Sequence, residues 1–439
     1  MASLFDGTRL AALAAAAILI TACGGSDARD KPSAAKTTTA QSKSVKPKPA
    51  ATRAPSDNDK LTRLLDDRAY ALEQGDAKAF LNTSAGKQAA KDKGAIARAG
   101  ALPINDVHIT AGATELEGDR ATLRVLMTYS FNGLDTVFVK RSRMTVLKTP
   151  AGWRVQLDKP TYGELAPWEY ATYKARTSRH FLALAPKSLK VGSLMTDLEK
   201  GREQMKRAIP GVKPPDRLLV IVARTSTDTK ALTVDIRTIK ALTAVAEAKV
   251  YLRGPARQVE SVRGQRVFVL WRSYGSRSAK ERRMVIAHEL THAALVKRTG
   301  GRVPPWLAEG VAMYASGDQR AGDAGALLSG ARLKDSSKQK PAMSALSLTR
   351  LAKPTALDRM SAIPLSFAYS YASEAAYAIA AKHGGGKGLM RLYSAFNSEK
   401  IKGKPGRKLT DRVMRKSLHA SLDSVEGDIK AYARSKSVF

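Results

Sequence analysis

The period of the apolar positions changes several times along the chain, and each change marks a new element. Leu10 to Ile20 is a continuous apolar run, too short to span a bilayer as a mature helix. Residues 24–57 then lose apolar periodicity; Gly24-Gly25-Ser26 opens the stretch, and Lys, Ala, Pro, Thr and Ser dominate it. Such a composition cannot bury a core and predicts an extended, disordered linker. Over 59–74, Leu61, Leu64, Leu65, Ala69 and Leu72 recur at helical spacing, Gly75-Asp76 breaks that helix, and a second short one is predicted around Ala77–Leu81. Strand patterns follow. Val107–Thr114 and Arg120–Ser130 alternate in part about the turn Glu117-Gly118-Asp119. Val137–Leu147 comes after Asn132-Gly133, and Trp153–Leu157 comes after Thr149-Pro150-Ala151-Gly152. Residues 58–163 therefore read as helices followed by a curved antiparallel sheet.

A second unit begins near Ala166. His180–Leu184 is a strand candidate, and Thr196–Ile209 is an amphipathic helix with Leu198, Met205 and Ile209 inward. Arg217–Ala223 is a continuous apolar run, which predicts a strand buried on both faces. Ala248–Leu252 and Arg266–Trp271 are two further strands of a mixed sheet. Ser278-Ala279-Lys280-Glu281 is a capping box opening a helix whose apolar body is Met284, Val285, Ile286, Leu290, Ala294 and Leu295. Lys297 and Arg298 suit the carboxyl end of its dipole, Gly300 can end it, and Pro304-Pro305 opens another short helix. Gly317–Pro341 reads as a surface loop. The remainder is helical: Ser366–Lys382 stopped by His383-Gly384-Gly385-Gly386, then Gly388–Asn397, Leu409–Leu418 and Leu422–Ala433. The fold class is α+β, with folded units at 58–163, 166–341 and 342–439.

Composition changes this picture in two places. Lys and Arg total 74 against 39 Asp and Glu, a formal charge of +35 over 439 residues. No nucleic-acid-binding motif accompanies that excess, so it is assigned to solvated faces and attraction to an anionic envelope surface, with no nucleic-acid partner. Cys23 is the single cysteine, which excludes an intramolecular disulfide.

The chemistry concentrates in His288-Glu289-Leu290-Thr291-His292, followed seventeen positions later by Glu309. Helix positions i and i+4 share a face, so His288 and His292 can both reach one Zn²⁺. Glu289 stands beside the first ligand, where its carboxylate can take a proton from a water held by the metal. Two neutral imidazoles leave the ion strongly cationic. A carboxylate at Glu309 completes a His₂Glu set with one position open.

These residues resemble the gluzincin metallopeptidases of the peptidase MA-like kind. The resemblance rests on His288–His292 and on Pro305-Trp306-Leu307-Ala308-Glu309-Gly310-Val311-Ala312, and extends weakly over 175–435. It implies one zinc per chain held by His288, His292 and Glu309, Glu289 as general base, and a peptide or protein substrate. It also implies a zincin-like mixed sheet before the active-site helix, with 342–439 closing the far wall of the cleft. Val267–Trp271 would form the substrate-binding edge strand, with Val267 and Val269 on it, unless these residues are ordinary core. An oxyanion donor is expected from the far wall, and the family register selects Tyr369, with Tyr371 and His383 as alternatives. One departure stands out: many members carry an aspartate four residues after the third ligand, where this chain has Met313. Two further resemblances are more local. Ile20-Thr21-Ala22-Cys23 is similar to a bacterial lipobox, which implies lipidation of Cys23 and an extracytoplasmic, membrane-anchored protein. Residues 58–163 resemble a nuclear transport factor 2-like cone in topology, acting as an accessory domain. The function expected is zinc-dependent peptide hydrolysis, the alternative being a non-catalytic zinc-binding envelope lipoprotein that keeps the fold for binding.

Overall fold

A computed structural model describes residues 19–20, 55–161, 163–233, 243–253, 258–319, 348, 362–398 and 406–436. Cys23 and nearly all of the linker 24–57 and the loop Gly317–Pro341 lie outside them. Among the described residues no helix is long and apolar enough to cross a membrane.

The chain begins with α1 (Asp57–Gln74), capped by Ser56 through a capping box with Asp59 and ended by Gly75 in the left-handed region. Next come α2 (Ala77–Leu81) and α3 (Gly86–Ala99). Helix α3 has no sequence expectation behind it, because its buried positions include Gln88 and Asp92 and so break the apolar stripe. Their partners explain the burial: the Arg68 guanidinium pairs with Asp92 at 2.7 Å, and Gln88 Nε2 donates to Asp92 at 2.8 Å. Four antiparallel strands follow in consecutive order: β2 (Ile104–Glu117), β3 (Arg120–Phe131), β4 (Phe138–Thr149) and β5 (Gly152–Pro160). The β2–β3 turn needs Gly118, whose φ is 58°.

The second sheet is mixed. Its long strands are β6 (Tyr173–Thr177), β7 (Phe181–Pro186), β8 (Leu218–Ala223), β9 (Ala244–Arg253) and β10 (Gln258–Leu270), ordered β9-β10-β8-β7-β6. A two-residue strand, β1 (Leu19–Ile20), lies parallel against the outer side of β9. The connections hold α4 (Pro167–Tyr170), α5 (Leu194–Ala208), α6 (Ser226–Leu232) and α7 (Trp271–Gly275). Strand β10 is not an edge. Val267 pairs with Val220 on β8 and with Ala246 on β9, and Val269 pairs with Val222 and Ala244. Both side chains are buried core, so the outermost long strand beside the motif helix is β9.

Alternation along these strands divides the core. Leu182, Leu184, Leu219, Ile221 and Phe268 face one apolar cluster together with Phe131 and Phe138 of the amino-terminal unit and Trp168 of α4. Ala183, Val220, Val222, Val267 and Val269 face another cluster with Leu198, Ile286 and Leu290. The continuous apolar run of β8 is thereby explained: one face meets helices and the other meets the first unit. Polar clamps reinforce that junction. Glu164, nearly fully buried, accepts from Arg141 at 2.6 Å and from Lys249 on β9 at 2.7 Å. Burial pushes its carboxyl up, but those two cations together hold it below the usual carboxylate range. Gly264 N–H on β10 donates to Val137 O at 2.8 Å.

The motif helix α8 (Ala279–Leu295) starts at Ser278 with the expected capping box to Glu281, and a 3₁₀ turn extends it through Arg298. Every residue from Val285 to Ala293 is buried, because sheet and α5 pack on one side and a helical layer on the other. That layer is α9 (Pro305–Ser316), α10 (Ala362–His383), α11 (Gly385–Phe396), α12 (Arg407–Leu418) and α13 (Leu422–Lys436).

Close approach of α5 to α8 requires Gly201. A Cβ there would meet Ile286 Cγ2 at 2.6 Å and Ala287 N at 3.2 Å, one residue before His288. Gly201→Val is expected to destabilise the protein by about 1–3 kcal/mol through overpacking. A lowered denaturant midpoint with unchanged slope checks this; an unchanged midpoint would mean the crossing has slack.

Candidate metal centre

Helix α8 presents His288 and His292 one turn apart, and α9 presents Glu309 in its second turn. All three are buried and form the one group able to hold a metal ion among the described residues. The two Nε2 atoms stand 3.1 Å apart, and each lies 3.4 Å from Glu309 Oε2. Tetrahedral donors at about 2.1 Å from a cation stand roughly 3.4 Å from one another, so the spacing suits a single small ion. Glu309 Oε2 is buried with no hydrogen-bond donor, an arrangement that is costly unless a cation completes it. Residues and spacing fit a divalent metal.

Electrostatics follow the same geometry. Burial pushes the Glu309 carboxyl up, but His292 and His288 outweigh it and hold the group below the usual range. Burial pushes His292 down, and Glu309 more than reverses it. The Glu289 carboxyl is raised by burial despite the imidazoles that favour its charged form. Glu289 Oε2 also accepts the backbone N–H of Ala246 on β9 at 2.7 Å, which fixes one oxygen against the sheet edge.

Position is set by backbone packing. A Cβ at Gly310 would meet Ala372 O on α10 at 2.5 Å, so glycine lets α9 and α10 touch beside Glu309. Glycines therefore mark close crossings next to ligands on both ligand-bearing helices, Gly201 against α8 and Gly310 within α9.

The other expected residues fall as follows. Tyr369 and Tyr371 lie on α10, buried in the apolar cluster that contains Trp306 and Leu307. His383 ends α10 part-exposed, and burial draws its imidazole below the ordinary value. Met313 is fully buried in the same cluster, so the place of a supporting carboxylate is filled by an apolar side chain. Val267 and Val269 face the core beneath α8. Two groups near the centre carry no sequence signal. One is the Ala246 amide, which any residue but proline supplies. The other is Tyr393 on α11, whose hydroxyl is 2.6 Å from Thr299 Oγ1 and which burial, with Glu309 nearby, pushes well above the ordinary phenol range. Tyr393 shares the apolar face of its helix with Leu389, Leu392 and Phe396 and reads there as core.

No protein-family model matches the chain, and no curated protein matches it.

Purified protein is expected to take up about one equivalent of zinc, with His288→Ala and Glu309→Ala each binding far less. Metal analysis after dialysis checks this; a parent chain that takes up no zinc would sink the assignment.

Proposed function

We propose that the chain is a zinc-dependent metallopeptidase of the gluzincin kind, acting outside the cytoplasm from a lipid anchor at Cys23. The observation that carries the reading is the convergence of His288, His292 and Glu309 beside a Glu289 held by the edge strand. A zinc ion in that donor set would supply a Lewis acid for a peptide carbonyl and for water. The roles of the chain's own groups follow from position. Glu289 accepts a proton from the attacking water and returns it to the leaving amine. The Ala246 N–H keeps one Glu289 oxygen occupied and so orients the other. An extended substrate adds to the outer side of β9, the outermost long strand on that side of the sheet; the interior position of β10 supports β9, not β10, as the docking strand. Tyr369 is assigned the oxyanion donor, from the helix packed against α9. On the same reading, 58–163 is a nuclear transport factor 2-like accessory unit. Its shared core with the mixed sheet and the Glu164–Lys249 clamp give it a supporting role for β9.

One observation favours the alternative of a non-catalytic zinc-binding lipoprotein: apolar Met313 stands where many related peptidases place an aspartate. The decisive experiment is Glu289→Gln tested on a peptide library. The variant should keep its zinc and lose roughly 10²- to 10⁴-fold in hydrolysis, the usual range for a general base. Equal cleavage by variant and parent overturns the mechanism. A parent that holds zinc and cleaves nothing favours the binding protein.

The anchor is tested separately. Cys23→Ser is expected to move the protein from the membrane fraction to the soluble one after a high-salt wash that removes electrostatic adhesion. Continued sedimentation with membranes would refute lipidation at Cys23.

A further inference from the structure

Helix α10 carries a second buried acid, away from the metal triad. Glu374 is fully buried, and neither of its oxygens has a hydrogen-bond partner. Ser370, one turn earlier, is fully buried too, and its hydroxyl also lacks a partner. Positions four apart share a helix face, so the two unsatisfied groups lie on one stripe. Buried carboxylates elsewhere in the fold are matched. Asp92 pairs with Arg68, Asp158 with Lys140, and Asp197 with Arg282, each at 2.7 Å. Among the described residues, Glu374 is the one carboxylate with both oxygens buried and unpartnered.

Its surroundings do little to stabilise a charge. Tyr377 stands nearby on the same helix, Tyr314 on α9 with Asp318 just beyond it, and Tyr432 on α13. Lys436, exposed at the end of α13, is the one cation whose attraction reaches the carboxyl. Other charged groups on the neighbouring helices are engaged elsewhere or exposed. Glu309 faces His288 and His292, Asp428 pairs with Lys382, Asp423 with Arg407, and Glu426 accepts the Leu348 N–H. Arg391 of α11 donates to the His383 carbonyl, and Lys387, Lys430 and Arg434 are exposed. An ionised carboxylate without hydrogen bonds in an apolar interior is costly, so such a group keeps its proton to higher pH than usual. Burial, opposed by Lys436 alone, pushes Glu374 up to about 7.

We propose that Glu374 is a proton-operated latch in the helical layer: with its proton it lets α10 stay packed against α13, and ionised it loosens that packing. The sign follows from linkage. The unfolded chain ionises this carboxyl near 4.5 and the folded chain near 7, so between those values the folded state holds the extra proton. Its contribution to stability is full below the first value, falls as pH rises between the two, and levels off above the second. A salt-bridged acid would act in the opposite direction. The latch lies beside the metal centre without touching a ligand. Ala372, two residues before Glu374, presents the carbonyl that a Cβ at Gly310 would meet at 2.5 Å, so α10 is also the support on which the helix of Glu309 rests.

The test is hydrogen exchange on the full chain at about pH 5 and about pH 8.5, corrected for the intrinsic rate. Protection of the α10 and α13 amides should fall roughly tenfold or more in the parent over that range. Glu374→Gln keeps the shape and cannot ionise, so its α10 and α13 should keep their protection. Glu374→Met removes the charge without burying an amide, and it carries the test if the glutamine variant folds poorly. Titration of His180, His383 and the metal-site histidines is common to all three proteins and cancels in the comparison. A parent whose protection holds across the range would overturn the proposal, as would variants that lose as much protection as the parent.

Discussion

Burying Glu309 beside His288 and His292 sets the terms for everything packed around them. An ionised carboxylate in an apolar interior is costly by several kcal/mol after relaxation, and here Glu309 Oε2 has only the two imidazoles at 3.4 Å beside it. The two imidazoles offset part of that cost, as the lowered carboxyl and raised His292 record. A cation could supply the rest, among donors already 3.1–3.4 Å apart. Such a site tolerates little drift, because a small displacement of one helix changes three distances at once. The glycine crossings answer that requirement. Gly201 lets α5 press on α8, and Gly310 lets α10 press on α9, each next to a ligand.

The same constraint explains why the sheet is sandwiched. Helix α8 is buried along its whole middle, so it must be covered by sheet and α5 on one side and by the helical layer on the other. The mixed sheet in turn shows its second face to Phe131, Phe138 and Trp168, which joins the amino-terminal unit to it in one continuous apolar cluster. Strand β9 sits at the meeting point: Lys249 binds Glu164, which Arg141 of the first unit also holds, and Ala246 binds Glu289. Two residues of one strand, Glu247 and Ala248, therefore separate the partner of a structural clamp from the partner of the candidate general base.

What could be read from the sequence divides along physical lines. The convergence of His288, His292 and Glu309 is legible because helical periodicity fixes where i and i+4 point, and Pro305 with Trp306 marks the start of the helix that carries Glu309. The capping box at Ser278 and Glu281 is legible for the same local reason. Helix α3 is hidden because Gln88 and Asp92 take inward positions, satisfied by Arg68 far away in sequence. The order of strands in the mixed sheet is hidden for another reason. Period and composition make Val267 and Val269 buried β residues, but they say nothing about which neighbours pair on each side; β10 turns out to be interior and β9 the outermost long strand on that side. Tyr393 is hidden because a phenol that touches a polar partner at one end still packs as an aromatic at the other.

Glu289 is the residue on which the two functional readings diverge physically. A protein that only binds a metal needs His288, His292 and Glu309, and gains nothing from another buried carboxylate next to them. Glu289 is 2% exposed, its charge is penalised by burial, and Glu309 adds repulsion. Glutamine or leucine in its place would remove both penalties without touching a ligand. One of its oxygens is held by a backbone amide of the outermost long strand, which leaves the other as the oxygen that the proposed hydrolytic role would use. Burial and Glu309 thus penalise the charged form of a carboxylate that a bare metal clip would not use, and this is the physical ground on which the two proposed readings part.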